Sequence, residues 1–162
     1  MLYFLIQMKY QLSFLLIFLI LEGCNKKEKV AGFVSIPKTG WIISQPLEFY
    51  FPVSDTLEKV NFQYELAYAP EFPWENIWLR YSLEEPDGDT LAFSTDNLFL
   101  FEPGSGRPLG RGPAEGLYLN AWFLKNVRFR KTGKHRLKVW QRSRTDTLQG
   151  IQSLAVRLFR DK

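Results

Sequence analysis

The sequence holds one cysteine, Cys24, and one histidine, His135. A single cysteine excludes an intramolecular disulfide, and a lone thiol in a secreted chain calls for its own explanation. The same scarcity removes a His/Cys zinc cluster and a Cys–His pair, and His135 falls on the apolar phase of a strand pattern, where a core role outweighs a catalytic one. The excess of one sign is mild. Charged residues make up 23% of the chain and the net charge is +4, which is not the clustered basic face that a nucleic-acid partner requires. No segment carries a long helical period, and there is no internal repeat or low-complexity block. These absences point away from an enzyme, a metal centre and a cofactor.

Aromatic residues are plentiful instead, at 16%, with 14 Phe, 7 Tyr and 5 Trp. Such residues favour strands, whose pleated surface packs rings well. Period-two alternation dominates the chain after residue 33. Leu47, Phe49, Phe51 and Val53 alternate with polar or exposed positions, as do Val60, Phe62, Tyr64, Leu66 and Tyr68. Ile77, Leu79, Tyr81 and Leu83 form a third dry face, His135, Leu137 and Val139 a fourth, and Leu154, Val156 and Leu158 a fifth. One wet and one dry face per run is the habit of antiparallel sheets. Glu85-Pro86-Asp87-Gly88-Asp89 and Lys131-Thr132-Gly133-Lys134 supply turns, because Pro presets φ and Gly accepts positive φ. Roughly eight strands in the about 130 residues after the tether predict an all-β, antiparallel two-sheet β-sandwich of jelly-roll or immunoglobulin-like type, with a closed barrel as the alternative.

The first 23 residues differ from the rest. Leu12–Leu21 is an almost pure apolar run, too short for a stable spanning helix and of the length of a signal-peptide core. It ends at Leu21-Glu22-Gly23-Cys24 and gives way to Asn25-Lys26-Lys27-Glu28-Lys29. Leu21 and Gly23 fit a lipobox and Glu22 does not. The chemistry of that site needs a thiol, whose sulfur is alkylated by diacylglycerol before a peptidase cuts in front of the modified Cys24. Met1–Gln7 carries no positive charge, whereas Met8-Lys9 leads into the apolar run, so translation is expected to start at Met8. The expected organisation is a signal peptide over 1–23, a flexible tether over 24–32 and a β-sandwich over 33–162.

Two features suggest contact rather than chemistry. Residues 102–116 hold five Gly and three Pro, and a loop of that length is usually functional or disordered. It lacks the following helix and the Lys-Ser/Thr pair of a phosphate loop, while Arg107 and Arg111 on it are candidate anion contacts. Trp78 and Trp140 lie on the polar phase of their strands, and Trp122 follows the loop. Exposed Trp residues stack on sugars or anchor protein interfaces. Trp78, Arg107, Arg111, Trp122 and Trp140 are therefore the candidate interaction surface, and a glycan is one partner they would suit.

Several segments together resemble the GldH family of gliding-motility lipoproteins. They are Cys24, Ser35-Ile36-Pro37 with Gly40-Trp41, Asn76-Ile77-Trp78-Leu79-Arg80-Tyr81 and Glu85-Pro86-Asp87-Gly88. Leu109-Gly110-Arg111-Gly112, Leu117-Tyr118-Leu119-Asn120, Asn126-Val127-Arg128-Phe129 and Leu148-Gln149-Gly150-Ile151 complete the set in order. Pro113-Ala114-Glu115 departs from the expected second glycine and acidic residue. The resemblance implies a non-enzymatic envelope lipoprotein, palmitate-bearing and membrane-anchored, that serves gliding and the linked type IX secretion machinery through other envelope proteins. Only Cys24 carries over with a chemical role. The basic residues after it fit an outer-membrane lipoprotein facing the periplasm better than one exported to the surface.

Overall fold

The computed structural model describes residues 28–161; Leu21, Gly23, Cys24 and the expected start at Met8 lie outside the described residues. Ten strands follow one another: β1 (Glu28–Ser35), β2 (Trp41–Ile42), β3 (Leu47–Val53), β4 (Lys59–Tyr68), β5 (Asn76–Glu84), β6 (Thr90–Phe99), β7 (Leu117–Val127), β8 (Gly133–Gln141), β9 (Thr147–Leu148) and β10 (Ile151–Asp161). The five alternating runs of the sequence are the centres of β3, β4, β5, β8 and β10, and their dry faces are buried as the alternation predicts, with Leu47 at the start of β3 half-buried.

Two four-stranded antiparallel sheets, in the orders β1-β10-β4-β7 and β3-β8-β5-β6, carry the core between them, and the β2-β9 ribbon sits beside them. Rings from both sheets meet in the middle. Phe51 of β3 lies 5.6 Å from Phe62 of β4, and Tyr81 of β5 lies 5.1 Å from Phe123 of β7, both edge to face. His135 is fully buried in this layer, 4.6 Å from Phe129 and 5.9 Å from Phe51, with Nδ1 at 3.2 Å from the Gly133 carbonyl.

The pairing has a simple rule: first strand with last, second with ninth, third with eighth, fourth with seventh, fifth with sixth, all antiparallel. A long double ribbon rolled up on itself produces this rule, and that is the jelly roll. It decides between the two sandwich types left open by the strand count. β6 and β7 are edges that do not pair with each other, so the barrel alternative falls.

The expected tether over 24–32 overlaps β1. Residues 28–32 are already strand, with Glu28 opposite Phe159 and Lys29 opposite Leu158. Sequence alternation missed this because β1 is an edge whose pattern is broken by a bulge between Val30 and Gly32. Gly32 is there for space: a Cβ on it would stand 3.0 Å from the Phe49 ring.

The strand order also sorts the connections into two ends. Loops 54–58, 85–89 and 128–132 share one end with the start of β1 and the close of β10. The β2-β9 ribbon, segment 69–75, the Gly-rich loop and loop 142–146 share the other.

Candidate functional site

The Gly-rich loop is ordered by its own bonds. Tyr68, at the end of β4, is completely buried, donates its hydroxyl to the Leu100 carbonyl at 2.8 Å and accepts the Gly110 N–H at 2.9 Å. A Cβ at Gly110 would stand 2.7 Å from that same hydroxyl, which explains why a glycine occupies the position. Arg111 and Tyr118 exchange both backbone bonds, at 3.0 and 2.9 Å, and close the second half of the loop. Arg107 does not stand free: its Nε lies 3.2 Å from Glu102 Oε2, and Ser105 donates to the same carboxylate at 2.7 Å. Arg111 is exposed.

The three candidate tryptophans do not share a surface. Trp140 pairs opposite Arg80, and Trp78 lies two residues before Arg80, so both point outward from the β3-β8-β5-β6 sheet. Trp122 pairs opposite Gln63 and points outward from the other sheet, where its ring packs edge-on 4.8 Å from Phe159 with the Lys125 ammonium 6.0 Å above it. Trp140 is half-buried, while Trp78 and Trp122 are 44% and 46% exposed.

Trp78 has a different aromatic neighbour. It lines an open cleft of about 510 Å³ with Pro73, Trp74, Glu75, Asn76, Ser143 and Arg144. That volume lies within the roughly 300–1,000 Å³ of small-ligand clefts. Trp74 is 48% exposed, so two indoles are half in water at one place. Glu75 ties the cleft to the Gly-rich loop, since its carbonyl accepts the N–H groups of Leu100 and Phe101 at 2.8 and 3.1 Å. Asn76 Nδ2 donates to Asn97 Oδ1. The cleft thus offers two flat apolar faces ringed by a carboxylate, an amide, a hydroxyl and a guanidinium. Trp74 lies near a loop in the sequence and, like Arg144, is absent from the candidate surface, because on connections no periodicity marks which way a side chain points.

A second polar group lies inside the sandwich, near its open β6–β7 side. The Tyr64 hydroxyl and Asp96 Oδ2 are buried and have no hydrogen-bond partner among the described residues. Burial pushes the Tyr64 phenol well above its ordinary value, with Asp96 and Tyr81 adding to the effect. Burial also raises the Asp96 carboxyl, and it raises Tyr81 against a counteracting hydrogen bond with Ser94. These are core strand positions in the sequence, and nothing in their spacing marks them.

Residues 28–158 match the sequence profile of the GldH lipoprotein family, which spans nearly the whole described chain. This chain belongs to the GldH lipoprotein family. The gliding motility lipoprotein GldH of Flavobacterium johnsoniae is 24% identical to it over 155 residues, covering 89% of this chain and 92% of that protein. Two solved structures show weaker likeness. The infectious bursal disease virus VP2 subviral particle aligns with a TM-score of 0.37 at 12% identity, over 82% of this chain and 32% of that one. The arabinose-bound arabinofuranosidase MgGH51 aligns with a TM-score of 0.33 at 11% identity, over 81% of this chain and 18% of that one. The segments that carried the GldH resemblance now have places in this fold. Tyr68 holds Gly110 of the Leu-Gly-x-Gly loop. The Pro-Asp-Gly turn is clamped by Lys131, which pairs with Asp87, Asp89 and Glu85.

Proposed function

We propose that this GldH-family protein is a lipid-anchored component of the gliding and type IX secretion machinery that acts by contact rather than by catalysis. Its anchor is a diacylglyceryl and palmitoyl modification of Cys24, and its place is the outer membrane, facing the periplasm, among other envelope proteins. The observation that carries the reading is the family match over 28–158 together with the gliding-motility relative that aligns over nearly its full length. Cys24 stands four residues before Glu28, the first residue of β1. At about 3.5 Å per residue, four steps reach roughly 14 Å, so the anchor holds the β1 end of the sandwich close to the lipid. Deletion of the gene is expected to abolish colony spreading and reduce secretion. Wild type restores both, and Cys24→Ser, which shows no lipid mass increment, does not. Full spreading in the deletion strain refutes the reading.

A second reading has its own observation, the Trp74–Trp78 cleft. Pyranose rings present C–H faces that stack on indoles, and vicinal hydroxyls that need donors and acceptors close together, which Glu75, Asn76, Ser143 and Arg144 supply. On this reading the lipoprotein grips an envelope glycan at the end away from its anchor. Calorimetry with soluble peptidoglycan fragments tests it. Trp78→Ala and Trp74→Ala are each expected to weaken binding about tenfold or more, as loss of an aromatic anchor does, while Trp122→Ala leaves it unchanged. No saturable heat, or equal losses in all three, ends this reading.

A further inference from the structure

The outer face of the β3-β8-β5-β6 sheet carries more rings beyond the Trp74–Trp78 cleft. Alternate residues of a strand share a face, so Trp78, Arg80 and Ser82 of β5 look the same way. On the β6 side, Asn97 stands opposite Trp78, Thr95 opposite Arg80 and Phe93 opposite Ser82. On the β8 side, Trp140 stands opposite Arg80. It is therefore a diagonal neighbour of Trp78, and long side chains reach one another across a diagonal. The rings thus form a row that leaves the cleft at Trp78, passes Trp140 and reaches Phe93. Four strand positions, roughly 13 Å, separate Trp78 from Ser82, the partner of Phe93. Phe93 is 61% exposed.

One cation stands within this row, and it is held in place. Arg80 Nε donates to Thr95 Oγ1 at 3.2 Å, and its guanidinium lies 5.5 Å from the centre of the Phe93 ring. No carboxylate pairs with Arg80 among the described residues. Lys138, opposite Ser82, is already paired with Glu84 at 2.9 Å. The face therefore combines separated flat rings with a hydroxyl, an amide and a guanidinium set among them. The centre of a protein interface is a continuous apolar patch, and here Arg80, Thr95 and Asn97 break the patch up. A glycan chain presents apolar ring faces and hydroxyl-bearing edges in turn, which is the pattern this row complements.

We propose that the row is a set of subsites for an extended glycan. The Trp74–Trp78 cleft takes one end of the chain, and Trp140, Arg80 and Phe93 take the units that follow. The proposal rests on the glycan reading of the cleft and deepens it, because the ligand becomes a chain longer than a disaccharide lying along β5 and β6. Arg80, braced by Thr95 and Phe93, supplies preorganised donors to the chain's hydroxyls at little entropic cost.

Every strand and the whole described core lie within residues 28–161, so a chain beginning at Asn25 keeps the fold and lacks any lipid. Calorimetry of that chain with a peptidoglycan disaccharide and with a peptidoglycan tetrasaccharide tests the proposal. The tetrasaccharide is expected to bind about tenfold more tightly than the disaccharide. Phe93→Ala, Trp140→Ala and Arg80→Gln each lower tetrasaccharide affinity about fivefold. Each keeps the wild-type affinity for the disaccharide, which also shows that the variant is folded. Trp78→Ala weakens both ligands. Equal affinity for the two lengths, or a length gain that survives in Phe93→Ala and Trp140→Ala, overturns the row while the cleft reading stands. Absence of saturable heat with both lengths overturns row and cleft together.

Discussion

Asp96 and Glu84 are two carboxylates on neighbouring strands with opposite energetics. Burial raises the Asp96 carboxyl, and its Oδ2 has no partner among the described residues. Burial pushes Glu84 the same way, but hydrogen bonds from Lys138 and Arg136 outweigh it and hold Glu84 below its usual value. The signs follow by proton linkage. Glu84 adds stability above its unfolded pKa, and that contribution is lost as pH falls through the folded value. Asp96, whose folded pKa is raised, binds its proton more tightly in the folded chain. Stability therefore falls as pH rises from the unfolded value, about 3.9, through the folded one. Asp96→Asn removes this slope. The variant is expected to gain urea stability relative to wild type at pH 7, and the gain should shrink at pH 3.5. A gain of the same size at both pH values would show that shape, not ionisation, is responsible.

Strand β1 is where the reading of an element changes most. As part of a tether it would be dispensable; as the partner of β10 it covers a sheet edge along its length. A chain beginning at Ile36 leaves β10 as a bare edge with Leu154, Val156 and Leu158 beside it, which invites edge-to-edge aggregation. Such a chain is expected to be insoluble or to lose its cooperative unfolding transition, whereas one beginning at Glu28 keeps it. A soluble, cooperatively unfolding chain from Ile36 would return β1 to the tether. The edge strands β6 and β7 explain why alternation is harder to read there. Each has one face half-buried rather than sealed, so Ser94, Asp96 and Ala121 occupy inward positions that a central strand fills with large apolar groups.

At the scale of the whole molecule, the jelly-roll order sorts the connections into two ends. The β1 end carries the exposed Leu57 and the short link to Cys24. The far end carries the braced Gly-rich loop and the two-indole cleft. On the proposed reading this separation lets the end nearest Cys24 lie at the membrane while the far end stays open to a partner. The ribbon-like pairing makes it automatic, because successive connections alternate between the two ends.

The sequence by itself determined the class of strand, the dry face of each central run and the single cysteine that the proposed anchor would use. These are local properties: alternation of two residues and the chemistry of one side chain survive without knowledge of neighbours. Which strands pair, which tryptophans share a face, and whether a loop hangs free depend on contacts distant in the chain. Trp78 lines a cleft with Trp74 and Arg144 rather than sharing a face with Trp122, and Tyr68 reaches Gly110 across 42 positions. Only the tertiary structure decided those, because non-local pairing and close packing choose among many arrangements that the same local pattern allows.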